Sequence, residues 1–179
     1  MTIAESDYGE VTEAGAIRFQ RLLPGPIERV WDYLTVPEKR RLWLADGPMD
    51  LPPGGEMELV WRNSELARPD ETIPEKFAGY DGEHRMKGRI IEAEPPRRLV
   101  HSWGEDAEVV YELEERGDKV LLTLVNRRLP DHKEVVSVAG GWHTHLEVLR
   151  ARLEEREGPR FWDTVDEADR AYEARIPAE

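Results

Sequence analysis

The sequence predicts an α+β fold in which an antiparallel sheet is closed by one long helix. Three observations carry this. Strand-like alternation clusters in the middle of the chain, between Glu56 and Arg127. Tight turns at Pro95-Pro96 and Gly117-Asp118 join those strands, which makes neighbours antiparallel. One long apolar-periodic segment, Glu134–Glu157, follows them. Strands and helices segregated in this way pack as α+β.

Each element follows from its own residues. Residues 1–15 are polar, acidic and aperiodic, and read as a loose, flexible arm. Ala16–Leu23 alternates Ile17, Phe19 and Leu23 against Arg18, Gln20 and Leu22, the pattern of a strand. Pro24-Gly25-Pro26 stops it, and Pro26 suits the first turn of a helix carrying Ile27, Val30, Trp31 and Leu34. Pro37 ends that helix and opens a second short one, Glu38–Trp43. Past Pro52-Pro53-Gly54-Gly55, a strand over Glu56–Arg62 sets Met57, Leu59 and Trp61 on one side. Asn63–His84 has no period. A connection of this length is a lid or a solvated surface loop. Strands follow over Arg85–Ala93, Arg98–Trp103, Glu108–Glu115 and Lys119–Arg127. The long helix opens after Leu129-Pro130-Asp131-His132 and stops at Gly158-Pro159. A last helix, Phe161–Arg175, aligns Phe161, Val165, Ala168 and Tyr172.

The long helix frames the functional question. Val135, Val138, Trp142, Leu146, Leu149 and Leu153 form one face. Gly140-Gly141 interrupts its centre, although each helix-interior glycine costs roughly 1 kcal/mol relative to alanine. Such a pair needs a reason, and close approach of a backbone or a ligand supplies one. A helix thinned there and presenting an indole fits one gripped by a curved sheet around a pocket.

Length and composition bound the possibilities. The 179 residues suffice for one domain with a real core. This places a domain at 16–157, after the arm 1–15 and before an extra helical tail, 158–179. The net charge of −13 opposes phosphate backbones and anionic membranes, so neither nucleic acid nor membrane is an expected partner. The short basic clusters Lys39-Arg40-Arg41, Arg97-Arg98 and Arg127-Arg128 are expected to be solvated surface. Cysteine is absent, which excludes disulfides and thiolate chemistry. With no membrane span and no secretory signal, a cytoplasmic location is expected. No phosphate-cradling glycine loop, dinucleotide fingerprint or nucleophile elbow occurs, so no cofactor is expected. His143 and His145 are two residues apart on a helix. They point about 200° apart, and no metal is expected.

Three stretches, in order, are similar to one family. Pro26-Ile27-Glu28-Arg29-Val30-Trp31-Asp32-Tyr33-Leu34-Thr35-Val36-Pro37-Glu38 resembles the opening helix of the Hsp90 ATPase activator homologue 1-like proteins. These belong to the START-like (SRPBCC) superfamily. Gly88-Arg89-Ile90-Ile91-Glu92-Ala93-Glu94-Pro95-Pro96-Arg97-Arg98-Leu99-Val100-His101-Ser102-Trp103 resembles the central hairpin, and Gly140-Gly141-Trp142 the start of the C-terminal helix. The resemblance covers roughly 16–157. It implies a helix-grip (START/Bet v 1-like) fold: two short helices after the first strand, and a curved antiparallel sheet wrapped around the long C-terminal helix. It also implies a cavity for a small, mostly apolar ligand. The full-length co-chaperone has a further N-terminal domain with an Asn- and Trp-rich motif. No such segment occurs here, so Hsp90 is not an expected partner.

Alternation and helical phase then name candidate ligand-binding residues. On the helix, Leu149 lies within about 40° of Trp142 and His145 about 60° to one side. On the strands, Trp61, His101, Trp103, Tyr111 and Asn126 fall on faces that would point inward. Apolar cavities use a few placed polar groups to orient a ligand. A buried polar group is equally satisfied by a neighbour or water. No residue is assigned as catalytic. The leading function is non-enzymatic binding of an apolar, aromatic or lipid-like molecule. The alternatives are a cyclase- or aromatase-like enzyme, in which His101, Tyr111 or His145 acts as acid or base, and a chaperone cofactor or interaction module. In the last case the stripe Phe161, Val165, Ala168 and Tyr172 docks a partner or forms a homodimer.

Overall fold

The structure, a computed structural model, describes residues 4–178. Its seven strands are β1 (Glu10–Glu13), β2 (Ala16–Pro24), β3 (Glu56–Trp61), β4 (His84–Glu94), β5 (Arg98–Trp103), β6 (Ala107–Arg116) and β7 (Lys119–Arg127). They form one antiparallel, curved sheet in the order β1-β2-β7-β6-β5-β4-β3. Between β2 and β3 lie α1 (Ile27–Thr35) and α2 (Pro37–Arg40), and α3 (His132–Leu153) and α4 (Phe161–Arg175) close the chain. The α+β helix-grip architecture expected from the sequence is the one observed.

Alternation decides which face is dry. One inward row runs Ile17, Asn126, Val109, His101, Ile90 across five strands. The next runs Phe19, Leu124, Tyr111, Leu99, Ala93. These rows meet the apolar face of α3, where Leu146 and Leu149 are fully buried. Burial of each such side chain stabilises the fold by about 1.5–3 kcal/mol relative to exposure.

The long helix begins two residues before its apolar period does. Asp131 caps it, its carboxylate accepting the Glu134 N–H at 2.9 Å. It also ends before the expected Gly158-Pro159 stop. Leu153 is its last buried residue, and Arg29 donates to the Leu153 carbonyl at 3.0 Å, a cation at the negative end of the helix. Glu155 then takes φ 56°, turning the chain toward α4.

The tail helix α4 packs on α3. Phe161, Trp162, Ala168 and Tyr172 are buried, and Val165 is half-buried. The stripe offered by the sequence as a docking face therefore lies against the chain's own helix. This second cover takes in Gly140 and His143, which lie outside the predicted apolar face of α3: Asp169 sits against Gly140, and the His143 ring bonds to the Tyr172 hydroxyl at 2.8 Å.

Three local features depart from expectation. Residues 10–13 form an edge strand on β2, with Glu10 opposite Arg18, although all four are exposed and carry no apolar period. Backbone pairing and an ion pair from Arg18 to Glu10 at 3.0 Å hold them, helped by Gly9, whose N–H donates to the Tyr172 hydroxyl at 2.7 Å. Arg40, expected at the surface, is 1% exposed. Its guanidinium donates to the carbonyls of Ala45, Thr35 and Gly47, so a buried charge finds acceptors without a carboxylate contact. Finally, the aperiodic stretch between β3 and β4 is docked rather than loose. Glu71 accepts the N–H groups of Phe161 and Trp162 at 3.0 and 2.9 Å, capping α4 from a distant segment. Phe77 stacks on Trp162 at 6.0 Å.

Candidate functional site: an indole-walled cleft beside the grip

The layer between α3 and the centre of the sheet is filled by side chains. Open space begins past Trp142, where the sheet ends and the 63–84 loop takes over as a wall. Trp61 and Trp103 are the last residues of β3 and β5, so both indoles project at the open end of the sheet. Trp103 stands 5.7 Å from Trp61 and 5.4 Å from Trp142, ring centre to ring centre. With Val138, Gly141 and His145 from α3 they bound a cleft of about 330 Å³. A smaller recess of about 130 Å³ continues from it, sharing Asn63, Tyr80, Ser137, Gly141 and His145. It ends among Phe77, Phe161, Trp162 and the carboxylate of Asp169.

Of the residues named from sequence, Trp61, Trp103, Trp142 and His145 line the cleft. His101, Tyr111, Asn126 and Leu149 face inward but do not reach it. They lie one layer deeper, where Trp142 packs edge-on to Tyr111 at 6.3 Å. Their polar atoms are paired within that layer. His101 Nδ1–H donates to the Ser102 carbonyl at 2.8 Å, which leaves Nε2 to accept the Tyr111 hydroxyl at 3.2 Å. Asn126 donates to the Glu108 carbonyl and accepts the Trp142 indole N–H, both at 3.0 Å. Burial pushes the His101 pKa down to about 4 and the Tyr111 pKa up, so both are neutral across the physiological range.

His145 is the polar group from the sequence set that the cleft does meet. Its Nδ1–H donates to the Trp43 carbonyl at 2.8 Å, which fixes the tautomer. Nε2 remains as a neutral acceptor on the cleft side. Burial lowers its pKa to about 4. Its ring packs edge-on to Phe161 at 5.4 Å.

The tandem glycines serve two different neighbours. A Cβ on Gly140 would stand 1.9 Å from Asp169 Oδ1, so this glycine admits α4. A Cβ on Gly141 would meet nothing within 4 Å, because that position opens onto the cleft. The close approach inferred from sequence is thus made by the tail helix, not by the sheet.

Several lining groups escaped the sequence reading. Asn63 Oδ1 and His84 Nε2 are buried without a hydrogen-bond partner among the described residues. Asp169 had a legible signal: it lies four residues after Val165 and eight after Phe161, an acid on an apolar helical face. Burial, reinforced by Glu173 and Asp166 and opposed by Lys76, raises its pKa to about 6. Asn63 and His84 lie at the ends of an aperiodic segment and gave none. Among the described residues, no group of His, Asp and Glu is placed to hold a metal.

With this geometry in hand, comparison with known proteins is specific. The family model described as "Activator of Hsp90 ATPase homolog 1-like protein" matches residues 24–154. The chain belongs to this family. The matched region holds most of the cleft, while α4, which supplies Trp162 and Asp169, lies beyond it. A solution structure of the BPP1335 gene product from Bordetella parapertussis is 40% identical, with a TM-score of 0.81, covering 100% of this chain and 97% of its own. The crystal structure of CalU16 from Micromonospora echinospora shares the fold at 24% identity and a TM-score of 0.66, with 96% of each chain covered. DynU16, a protein of the dynemicin biosynthetic locus, shares it at 18% identity and a TM-score of 0.63, over 84% of this chain and 51% of its own. No curated protein sequence matches the chain. No helix among the described residues is long and apolar enough to cross a membrane.

Proposed function

We propose that this activator-homologue family member binds a small apolar or aromatic molecule in the cleft beside α3. The observation that carries the reading is the set of three indoles, Trp61, Trp103 and Trp142, around about 330 Å³ that no side chain fills. Indoles supply large, stiff apolar area for a ligand ring. A few polar groups beside them give orientation, and His145 lines the cleft with its Nδ1 already committed to the Trp43 carbonyl. The cytoplasm is the proposed site of action.

Binding is better supported than cyclase-like catalysis. The candidate acids and bases do not converge: His101 and Tyr111 bond to each other beneath Trp142, and only His145 meets the cleft. Activity as an Hsp90 cofactor draws support from the family's name alone.

A thermal-shift screen of apolar and aromatic compounds tests the proposal. A ligand present at a hundred times its Kd stabilises the folded state by about 2.7 kcal/mol. The stabilising compound should shift the indole N–H resonances of Trp61, Trp103 and Trp142. Gly141→Leu, which fills the cleft from a position with free space around it, should abolish both effects. A ligand that stabilises the Gly141→Leu protein equally would place binding elsewhere.

A further inference from the structure

The charged side chains along the cleft are of one sign. Neither the main cleft nor its recess is lined by a lysine or an arginine. Glu134 stands at the mouth of the first and Asp169 at the end of the second. Among the neutral groups, His145 Nε2 accepts because its partner nitrogen holds the proton, while the Ser137 and Tyr80 hydroxyls can donate or accept. A charged ligand in this space is met by carboxylates and by no cation.

Asp169 is the decisive group. Its carboxylate is half-buried, sits over the bare backbone of Gly140, and gains no hydrogen bond from any described residue. The rings of Phe77, Phe161 and Trp162 wall the same recess. Aromatic faces attract cations through the negative face of the ring quadrupole. Just outside the recess, Lys76 Nζ lies 4.9 Å over the Phe77 ring and pairs with Asp166. Asp169 forms no ion pair with a described residue, and the Lys76 charge reaches it only from a distance. The net charge of −13 further favours a cationic ligand at long range.

We propose that the cleft selects a protonated amine carried on an aromatic or apolar body. The ring system lies among Trp61, Trp103 and Trp142, and the ammonium group reaches Asp169. This rests on the binding reading above and names the ligand class for the same site.

Three isosteres on the intact protein test it: 1-naphthylmethylamine, 1-naphthylmethanol and 1-naphthoate, titrated calorimetrically at pH 7.5. The amine should bind at least tenfold more tightly than the carboxylate. Asp169→Asn should bring the amine down to the affinity that the alcohol shows on the same variant, and measurable binding of the alcohol there reports that the cleft is intact. Glu134→Gln should keep the amine preference. Equal binding of all three compounds, or a preference for the carboxylate, would overturn the amine proposal and leave the cleft as a neutral apolar site. Loss of the preference in Glu134→Gln but not in Asp169→Asn would overturn the assignment to Asp169. No binding by any of the three would remove the cleft reading itself, and this one with it.

Discussion

Asp169 rests on Gly140, side chain of α4 against bare backbone of α3, with room for no added methyl group between them. This contact explains a glycine that helix propensity alone disfavours. Gly140→Ala gains roughly 1 kcal/mol of propensity but forces the carboxylate aside, and the Asp169 backbone nitrogen stands only 3.3 Å from the new carbon. The substitution should destabilise. In an Asp169→Ala background the same change should cost less, and this coupling is read by urea denaturation of the four proteins. Gly141→Ala, with open space around it, should stabilise by up to about 1 kcal/mol. Additive behaviour of positions 140 and 169 would refute the contact.

Asp169 also has a pH signature. Its folded pKa of about 6 lies above its ordinary value. The stability it contributes is therefore complete below the unfolded pKa of about 3.9 and lost as pH rises through about 6. The ionised form is a net cost at neutral pH. Asp169→Asn should stabilise at pH 8 by about 1 kcal/mol, a figure reduced for the group's partial exposure, and the gain should vanish at pH 4. A Tm difference independent of pH would contradict the raised pKa.

The buried histidines act in the opposite sense. Burial lowers His101, His143 and His145 to about 4, below the unfolded value of about 6.5. Their contribution is complete above pH 6.5 and lost as pH falls toward 4. Three protons taken up by the unfolded chain, less the one bound by folded Asp169, leave a net uptake of about two. Stability should fall by roughly 2–3 kcal/mol per pH unit between pH 6 and 5. Urea midpoints at those pH values measure this, and ring-proton titrations assign it. Any of the three rings titrating near 6.5 in the folded protein would remove its share.

Glu71 ties the 63–84 loop to the tail. Its carboxylate also accepts the Arg68 N–H at 2.7 Å, besides those of Phe161 and Trp162. Glu71→Ala should cost about 1–2 kcal/mol, as loss of a helix cap does. Hydrogen exchange should accelerate together at 161–163 and across the loop. Acceleration at the helix alone would mean that other contacts hold the loop.

Asn126 supports the indole that floors the cleft. Asn126→Leu leaves the Trp142 N–H without an acceptor, at a cost of roughly 1–3 kcal/mol. Trp142→Phe removes the donor, so the double variant should lose less than the sum of the two singles. Strict additivity, measured by chemical denaturation, would show that the pair is not coupled.

How much of this was legible in the sequence depends on the distance over which each feature is determined. The strands β2 and β4–β7, the helix carrying Val30 and Trp31, and the long helix around Trp142 follow from local alternation and period, and they fixed the fold class. The same periodicity turned His101, Tyr111, Asn126 and Leu149 inward. It carried no information on depth, so four inward residues that pack within the core looked the same as four that line a cleft.

The sequence by itself determined which faces are apolar, that the sheet is antiparallel, and that something must lie close to Gly140-Gly141. Tertiary structure alone decided what that something is: α4, arriving from residues beyond the next turn and burying a second side of α3. It also decided that an exposed-looking Arg40 is caged by carbonyls, that an aperiodic loop is pinned by one glutamate, and that the open space lies beside the grip. Each of these depends on which distant segments share a surface, and the free energy of such contacts is not written into any local pattern of residues.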